Sequence, residues 1–441
     1  MALTGLADGP PLAATAGAFG LLQQVIDEFA IATGAVGLEV RADPAELIAG
    51  RAALAGFTRQ GQVSAGGSTR LLRTADGWCA VTMSRIADVE SVPAILGVLG
   101  AAARPHRPGD RSDSLDALRA AAWPALTTAA VSRPAAEVAD AAQLLGVPAS
   151  VLPTAPEPPR WPPWRTTRIE ALAPDTSPAR AAARLDGAVV ADLSAMWAGP
   201  LCARLLGLAG ALVIKVESAD RPDGARQGDQ RFYDWLHAGH RSVAFPFATA
   251  QGRAALSSLL ASADIVIEAS RPRALAGLGV APEMITHRPG QVWLSITGHG
   301  RDEPDLVAFG DDAAVAGGLV GWTGSAPGGS AWGQGEPVFC ADAIADPLTG
   351  ACGALAVARS LAAGGGELID LPMRAVAANF AAGNLPAHGA HEIQPDGAVW
   401  CAALGRAQRV LPPRPPARAP RAASLGADTD AVLAWLDAAR G

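Results

Sequence analysis

The 441-residue sequence is short of positive charge. It contains one lysine, Lys215, its other cationic residues are nearly all arginine, and its formal net charge is −7. Binding to nucleic acid or to an anionic membrane by electrostatic attraction needs a basic surface. The composition therefore argues against both of these partners.

Long uncharged apolar stretches are missing as well, although 50% of the residues are hydrophobic. A membrane-spanning helix needs about 20 mostly apolar residues, and the apolar run that follows Trp197 is interrupted by Arg204. Residues 1–12 contain neither the basic region nor the apolar region of a secretory signal. We expect a cytoplasmic protein without a membrane segment.

The five cysteines are scattered, and no two of them form a CxxC pair. Zinc sites and dithiol redox sites need closely spaced cysteines, whereas free thiols are typical of a reducing compartment. We therefore expect neither disulfides nor a metal site at these residues, which are Cys79, Cys202, Cys340, Cys352 and Cys401.

The stretch from Gly187 to Glu217 predicts a βαβ unit. Apolar, β-branched runs cover residues 188–193 and 211–216, and Gly199 and Pro200 mark the start of a helix between them. Proline suits the first helical position because the N–H of that position has no intrahelical partner. The unit would place a helix N-terminus, which attracts anions, at the carboxyl edge of a parallel sheet. A purely structural crossover explains the same pattern.

Strand and helix patterns continue to alternate after this unit, which predicts a mostly parallel sheet covered by helices. Before it come two helices, and then a hairpin pattern with Gly66 and Gly67 at its start and Asp76-Gly77 at its turn. The predicted fold is α/β: a Rossmann-like sheet domain preceded by a smaller α+β domain. The predicted boundaries are a helical segment (1–60), the small domain (61–152), a Pro-rich linker (153–185), the sheet domain (186–378) and a tail with a closing helix (379–441).

Six motifs of the sheet domain resemble, in the same order, those of the family III CoA-transferases. This family includes formyl-CoA transferase, carnitine CoA-transferase and the α-methylacyl-CoA racemases. The resemblance implies an enzyme that moves CoA from an acyl-CoA thioester to a free carboxylic acid, with no tightly bound cofactor. The motifs, between residues 187 and 375, are VADLSAMWAGPLCARLLGLAGALVIKVE, HAGHRSVAF, ADIVIEASRPRALAGLG, SITGHG, FGDDAAVAGGL and ADPLTG.

The N-terminal third looks like the small domain of the same family. In the family this domain normally follows the CoA-binding half, so the resemblance implies a rearranged, circularly permuted chain. Permutation is tolerated where domain termini lie close together at the surface. The resemblance also implies a homodimer, interlocked as the family's dimers are.

The DPLTG motif implies the catalytic nucleophile, Asp346. In the family this aspartate attacks the thioester, and a glycine loop, here Gly66 and Gly67, shields the reactive anhydride from water. Two alternatives stay open. Asp346 followed by Pro347 is also a good helix N-cap, and Asp342 is a competing nucleophile.

Basic and turn residues near strand ends are the candidates for CoA contacts, because CoA carries three phosphate groups and open α/β sheets bind ligands there. Arg241 also follows a predicted loop near a strand end. Any one of the arginines is equally explained as a solvated surface residue. The predicted set is Ala198, Gly199, Pro200, Lys215, Arg221, Arg226, Ala269, Ser270, Arg271, Arg273, Thr297 and Gly298.

Two other functions are compatible with the sequence. The racemase branch of the family needs a histidine where this chain has Asp311, and we interpret His299 as a loop residue rather than a base. Two basic residues common in the family are replaced by Ser218 and Ala248. The chain could therefore be an acyl-CoA racemase or a catalytically weak CoA-binding subunit instead of a transferase.

Overall fold

The computed structural model describes residues 2–12, 15–101, 114–169, 184–324, 332–333, 335–382, 391–394, 398–401 and 405–438. Part of the predicted linker (170–183) and parts of the predicted tail (383–390, 395–397, 402–404 and 439–441) lie outside the described residues.

Helices and strands alternate along most of the described chain, and none of its helices is long and apolar enough to cross a lipid bilayer. The helices are α1 (Thr15–Val36), α2 (Pro44–Ala55), α3 (Ile86–Glu90), α4 (Val92–Val98), α5 (Leu115–Ala130), α6 (Ala135–Leu144), α7 (Ala198–Leu208), α8 (Gln230–His237), α9 (Ala250–Ser262), α10 (Pro272–Leu278), α11 (Gly310–Ala316), α12 (Ala345–Ala362), α13 (Met373–Ala381) and α14 (Thr429–Ala438). The strands are β1 (Thr69–Arg73), β2 (Trp78–Thr82), β3 (Ala149–Val151), β4 (Arg165–Arg168), β5 (Val189–Asp192), β6 (Leu212–Ser218), β7 (Arg241–Phe245), β8 (Ile265–Glu268), β9 (Val292–Thr297), β10 (Val320–Trp322), β11 (Pro337–Phe339), β12 (Glu367–Pro372), β13 (His391–Ile393), β14 (Val399–Cys401) and β15 (Arg406–Gln408).

A seven-stranded sheet forms the centre of the molecule, in the order β4-β12-β9-β8-β5-β6-β7. All neighbouring pairs are parallel except β4 with β12. Starting from β5, the parallel strands follow the doubly wound order 3-2-1-4-5-6, and the direction of winding reverses between β5 and β8. The predicted βαβ unit is confirmed as β5, α7 and β6, with Val190 opposite Val213.

A smaller antiparallel sheet, β1-β2-β3, packs with α3–α6 around its own core. The predicted hairpin is confirmed: Thr69 pairs with Thr82, and Asp76-Gly77 lies between β1 and β2. Trp123 of α5 is buried in this core. The α+β character expected of residues 61–152 is therefore present.

The two N-terminal helices belong to the core of the large sheet rather than to that of the small one. Leu22, Val25 and Phe29 of α1 are buried in the same cluster as Leu355 of α12. At the other end of the chain, α14 packs on β7 and α9, where Val432 is fully buried. The opposite ends of the sequence thus cover different faces of one sheet.

Several individual helices and strands differ from their prediction, whereas the domain boundaries stay predictions. The Pro-rich stretch interpreted as a linker contains β4, which pairs with β12. The charged segment after β6, interpreted as a loop, contains α8. Helix α7 begins at Ala198, so Pro200 is its third residue, which is still within the first turn where no backbone N–H is needed. Helix α12 begins at Ala345 because Ala343 adopts a left-handed φ of 41°.

Candidate active site

Asp346 is the second residue of α12 and faces the start of α7. The residue that caps α12 is Ile344, and no side chain closes the cap, so the N-cap interpretation of Asp346 is wrong. Instead, the backbone N–H of Ala198 donates toward the Asp346 carboxyl. The Asp346 side chain is half-buried rather than sealed in the core. The helix N-terminus predicted to attract an anion therefore receives a carboxylate of the protein itself.

Glycines let the elements around Asp346 approach one another. A Cβ on Gly310 would lie 2.2 Å from Oδ2 of Asp346, and a Cβ on Gly350 would lie 2.7 Å from the carbonyl oxygen of Ala198. A Cβ on Gly199 would collide with Ser194 at 2.1 Å. Residues larger than glycine at these positions would displace α7, α11 or α12 from the carboxyl.

Four carboxyl groups are gathered here. Burial, together with the neighbouring aspartates and against the positive charge of Arg51, raises the pKa of Asp346 to about 7 and that of Asp311 to about 6. Burial likewise raises the pKa of Asp312 to about 7, and it raises the pKa of Asp342. Among the described residues, no group of His, Cys, Asp or Glu is arranged to hold a metal ion.

The cation is Arg51, which comes from α2. Its Nη1 donates to Oδ1 of Asp342 at 2.8 Å, and its positive charge lowers the pKa of Asp342 and Asp346 against the effect of burial. Its guanidinium lies 5.4–5.7 Å from the ring centroids of Phe57, Trp197 and Phe232. Trp197 directly precedes Ala198, so Arg51 contacts the same turn that faces Asp346.

Asp342 is less suited than Asp346 to act as the nucleophile, because its carboxyl is buried and paired. Its side chain is 2% exposed and is held by Arg51. The flanking residues Ala341 and Ala343 both have positive φ, 54° and 41°, a strained conformation for alanine. This backbone is fixed by bonds from the Ala341 N–H to Thr4 and from the Ala343 N–H to Asp311. Asp342 is thus a fixed counter-ion.

A hydrogen-bonded chain links Asp311 to Asp312 through two threonines of the small domain. Thr69 Oγ1 lies 3.1 Å from Asp311, 3.0 Å separate the two hydroxyls, and Thr82 Oγ1 lies 2.9 Å from Asp312. Three contacts need three protons, but the two hydroxyls supply only two. A protonated aspartate would supply the third, and the raised pKa values of both aspartates favour protonation.

The Gly66-Gly67 turn belongs to the small domain and lies just before Thr69, one of the two threonines in these hydrogen bonds. A Cβ on Gly66 would contact the Phe57 ring at 3.6 Å, and Phe57 in turn contacts Arg51. Gly67 has a left-handed φ of 76°, with open space around its missing side chain. The turn therefore reaches the Arg51 side of the site.

Four arginines gather at the switch point of the sheet, where β8 ends. Burial, followed by the positive charges of Arg273, Arg85 and Arg221, lowers the pKa of Arg271. Arg271 also lies close to Gly146 of the small domain, whose carbonyl accepts from Arg85. Within the part of the chain that the structure describes, no carboxylate pairs with Arg271 or Arg221. Arg85 itself pairs with Asp88. We call these four residues the arginine cluster, and such a concentration of guanidinium groups attracts phosphate.

Other basic residues considered for CoA binding have partners within the protein or lie at another edge of the sheet. Lys215 is buried, with Nζ donating to the Ser194 carbonyl and to Asp223 at 3.0 Å. Arg226 forms a two-pronged pair with Glu217. Arg241 begins β7 and so lies at the amino edge of the sheet. These positions argue against contact with CoA, which stays a prediction for Lys215 and Arg226.

The last predicted residues lie at the carboxyl edge. The N–H of Ser270, which follows Ala269, donates to Glu268, and Thr297 accepts from the N–H of Gly300. Gly298 packs against Ala308, and a Cβ there would lie 2.7 Å away. Their contact with CoA stays a prediction. Burial and Arg374 lower the pKa of His299 to about 4, so it is neutral at pH 7.

A cavity of about 860 Å³ lies away from these groups, between the N-terminal residues, α2 and the 399–415 segment. Its wall includes Ala341, the neighbour of Asp342, but neither Asp346 nor any member of the arginine cluster. The chemistry is therefore expected at Asp346 and not in this cavity.

The sequence profile of "CoA-transferase family III" matches residues 185–412, more than half of the chain. This region contains β5, the switch point and Asp346. The chain belongs to this family. The other candidate residues, Arg51, Gly66, Thr69 and Arg85, precede the matched region.

Curated relatives of this family match over part of their length. Succinyl-CoA--D-citramalate CoA-transferase of Chloroflexus aurantiacus is 32% identical over 150 residues, 32% of this chain and 37% of that protein. Formyl-CoA:oxalate CoA-transferase of Escherichia coli is 30% identical over 176 residues, 38% of this chain and 41% of that protein. This chain thus spans about two fifths of the length of the relatives it matches.

Solved structures of the family are also similar in part. A CAIB/BAIF family protein from Brucella suis matches with a TM-score of 0.38 and 26% identity, over 48% of this chain and 62% of that one. Family membership rests on the sequence profile rather than on this partial overlap.

Arg51, Arg85, Thr69 and Thr82 were not predicted to be part of the site. No local motif marks them. Arg51, Thr69 and Thr82 meet their aspartate partners only when the N-terminal third folds against the sheet domain. Arg85 has its bonded partners within the small domain, and only the same folding brings it near Arg271. A search for polar residues near the predicted glycine turn would have found Thr69, which follows it by two positions.

Proposed function

We propose that this protein is a CoA-transferase that moves CoA between carboxylic acids through a covalent intermediate on Asp346. The observation that carries the proposal is the position of the Asp346 carboxyl. It is half-buried, lies against the Ala198 amide and the Arg51 charge, and is at the same end of the sheet as the arginine cluster.

In the first step a carboxylate oxygen of Asp346 attacks the thioester carbonyl carbon. The C–S bond breaks, CoA leaves as a thiolate, and a mixed anhydride remains on Asp346. The thiolate then attacks the Asp346 carbonyl carbon, the donor acid leaves as a carboxylate, and an aspartyl-CoA thioester forms. The acceptor carboxylate repeats these steps in reverse and leaves as the new thioester, with Asp346 restored.

The surroundings of Asp346 fit the demands of these steps. The attacking group must be ionised, and Arg51 and the Ala198 amide favour the ionised form. The anhydride must be protected from water. The Gly66-Gly67 turn would cover it, which is supported by the approach of Gly66 to Phe57 and of Phe57 to Arg51.

The arginine cluster would bind the phosphates of CoA. Arg271 and Arg221 lack a carboxylate partner among the described residues, so their charge is available to a ligand. Arg273 pairs with Asp305, but both of these side chains are exposed and their bond is readily exchanged. The free carboxylic acid and the acyl-CoA are the two partners of the reaction.

Racemisation is the weaker alternative. It needs two acid/base groups that flank the α-carbon of the acyl group. Asp311 replaces the family's histidine, and both of its oxygens are occupied by Thr69 and the Ala343 N–H. A racemase would form no covalent adduct on Asp346, so trapping the adduct separates the two functions.

The test is incubation with a panel of acyl-CoA thioesters and hydroxylamine, followed by peptide mass spectrometry. We expect Asp346 to become a hydroxamate, at a rate that rises as the pH increases through about 7, because the ionised carboxylate attacks. No Lys or Arg lies between Arg301 and Arg359, so one tryptic peptide holds all four aspartates. Fragment ions must therefore assign the modified residue.

Asp346→Asn should abolish the adduct, whereas Asp437→Asn, which changes an exposed carboxylate of α14, should leave it intact. A wild-type protein that forms no adduct with any thioester of the panel would contradict the proposal.

A further inference from the structure

We propose that Arg51 is the positioning cation of the active site: it holds Asp342 in place and sets the negative charge available on Asp346. The inference deepens the proposed function and rests on it. Arg51 lies outside the matched family region, on a helix of the N-terminal third.

The geometry fixes Arg51 from two directions. Asp342 holds Nη1 at 2.8 Å, and the rings of Phe57, Trp197 and Phe232 surround the guanidinium at 5.4–5.7 Å from their centroids. A guanidinium held among aromatic rings is well oriented, because cation–π attraction adds to the ion pair. Its side chain is 30% exposed, whereas that of Asp342 is 2% exposed.

The charges around Asp346 come from three elements besides its own helix. Arg51 on α2 is the cation, Asp311 on α11 and Asp342 before α12 are the anions, and the Ala198 N–H opens α7. Of these neighbours, Arg51 and the Ala198 N–H lower the pKa of Asp346, and the two aspartates raise it. Removing Arg51 or Asp342 must therefore change the ionisation of Asp346 in opposite directions.

This opposition gives a test that needs no substrate. The probe is a water-soluble carbodiimide with glycine ethyl ester, which modifies protonated carboxyls, and the readout is the pH dependence of labelling at Asp346. In Arg51→Gln we expect the labelling midpoint to rise by about one pH unit, since a nearby opposite charge typically moves a pKa by 1–3 units. In Asp342→Asn we expect the midpoint to fall.

Arg51→Lys should keep the midpoint near that of the wild type, because the charge is retained. Arg41→Gln, an exposed arginine that pairs with Glu39 just before α2, should not change it. In Arg51→Gln the pH at which the rate of hydroxylamine trapping rises should shift upward by the same amount as the labelling midpoint.

A merely structural role for Arg51 predicts loss of stability without these opposed shifts. An unchanged midpoint in folded Arg51→Gln, or shifts of the same sign in both variants, would overturn the inference. Absence of any hydroxamate in the wild-type protein would instead count against the proposed function, because the carbodiimide titration does not depend on it.

Discussion

Buried carboxyls at the site make the stability of the fold depend on pH. Because burial raises their pKa values, the free energy of unfolding falls as the pH rises. Asp312 is fully buried, with Oδ1 accepting from Thr82 and the Phe309 N–H and with no partner for Oδ2 among the described residues. Burial raises its pKa to about 7. A raised folded-state pKa contributes stability that is complete below the unfolded-state value, about 3.9, and is lost as the pH rises to about 7.

We therefore expect Asp312→Asn to weaken the pH dependence of folding. The amide keeps the Oδ1 acceptor and cannot ionise, so the variant should match the wild type near pH 4 and exceed it near pH 8 by on the order of 2 kcal/mol. Urea unfolding at several pH values measures this. The pH dependence should be reduced rather than abolished, because Asp311, Asp346 and Glu268 also have raised pKa values.

The exposed Asp437→Asn variant is the control and should follow the wild-type curve. A variant that is less stable than the wild type at pH 8 would show that Asp312 is ionised and paired in the folded state.

At the scale of elements, the site depends on the contact between α7 and α12. Gly350 is the closest point of this contact, since a Cβ there would lie 2.7 Å from the Ala198 carbonyl and 3.0 Å from Cβ of Leu201. The same contact presents the Ala198 N–H to Asp346, so helix spacing and catalytic geometry are coupled.

Gly350→Ala should push the helices apart. Overpacking typically costs 1–3 kcal/mol, and alanine recovers about 0.5–1 kcal/mol through its helix propensity, so we expect a net loss of about 1–2 kcal/mol and a slower hydroxamate formation. Gly20→Ala, in α1 with open space around the new methyl group, is the matched control and should be neutral or stabilising. Equal stability of the two variants in urea would show that α7 and α12 adjust without strain.

The elements that could be predicted from sequence are those whose pattern is local. The unit β5-α7-β6 and the β1-β2 hairpin have their periodicity and turn residues within about 30 positions. Strand β4 could not be predicted, since its exposed residues Arg165–Arg168 become a strand only by pairing with β12, some 200 positions later. Lys215 was predicted to contact CoA at a strand end, but β6 continues to Ser218 and buries it.

The same limit applies to the site. Asp346 was identified because its motif is contiguous, whereas Arg51 meets Asp342 across 291 positions. Sequence patterns reveal a residue's element but not its distant partner. Charge pairs between remote segments therefore had to come from the structure.

At the scale of the whole molecule, the N-terminal third completes both the core and the site. Helix α1 buries Leu22, Val25 and Phe29 against the sheet domain, α2 provides Arg51, and the small domain provides Thr69 and Thr82. The family match begins at residue 185, after all of these. The circular permutation and the homodimer inferred from the resemblance stay predictions, as does the role of this region in catalysis, which these contacts support.

A chain beginning at Arg168 should therefore fold poorly and form no hydroxamate on Asp346. Without α1, the apolar side chains of α12 that face it become exposed, at about 25 cal/mol for each Å² of apolar surface returned to water. Without α2, Asp342 loses its cation and remains as an uncompensated buried charge, which is strongly destabilising. Co-expression with residues 1–167 as a separate chain, which returns the rest of β4 as well as the N-terminal third, should restore both solubility and the adduct, because these contacts are not covalent. A soluble 168–441 chain that unfolds cooperatively and forms the adduct at the wild-type rate would show instead that the N-terminal third is an accessory module.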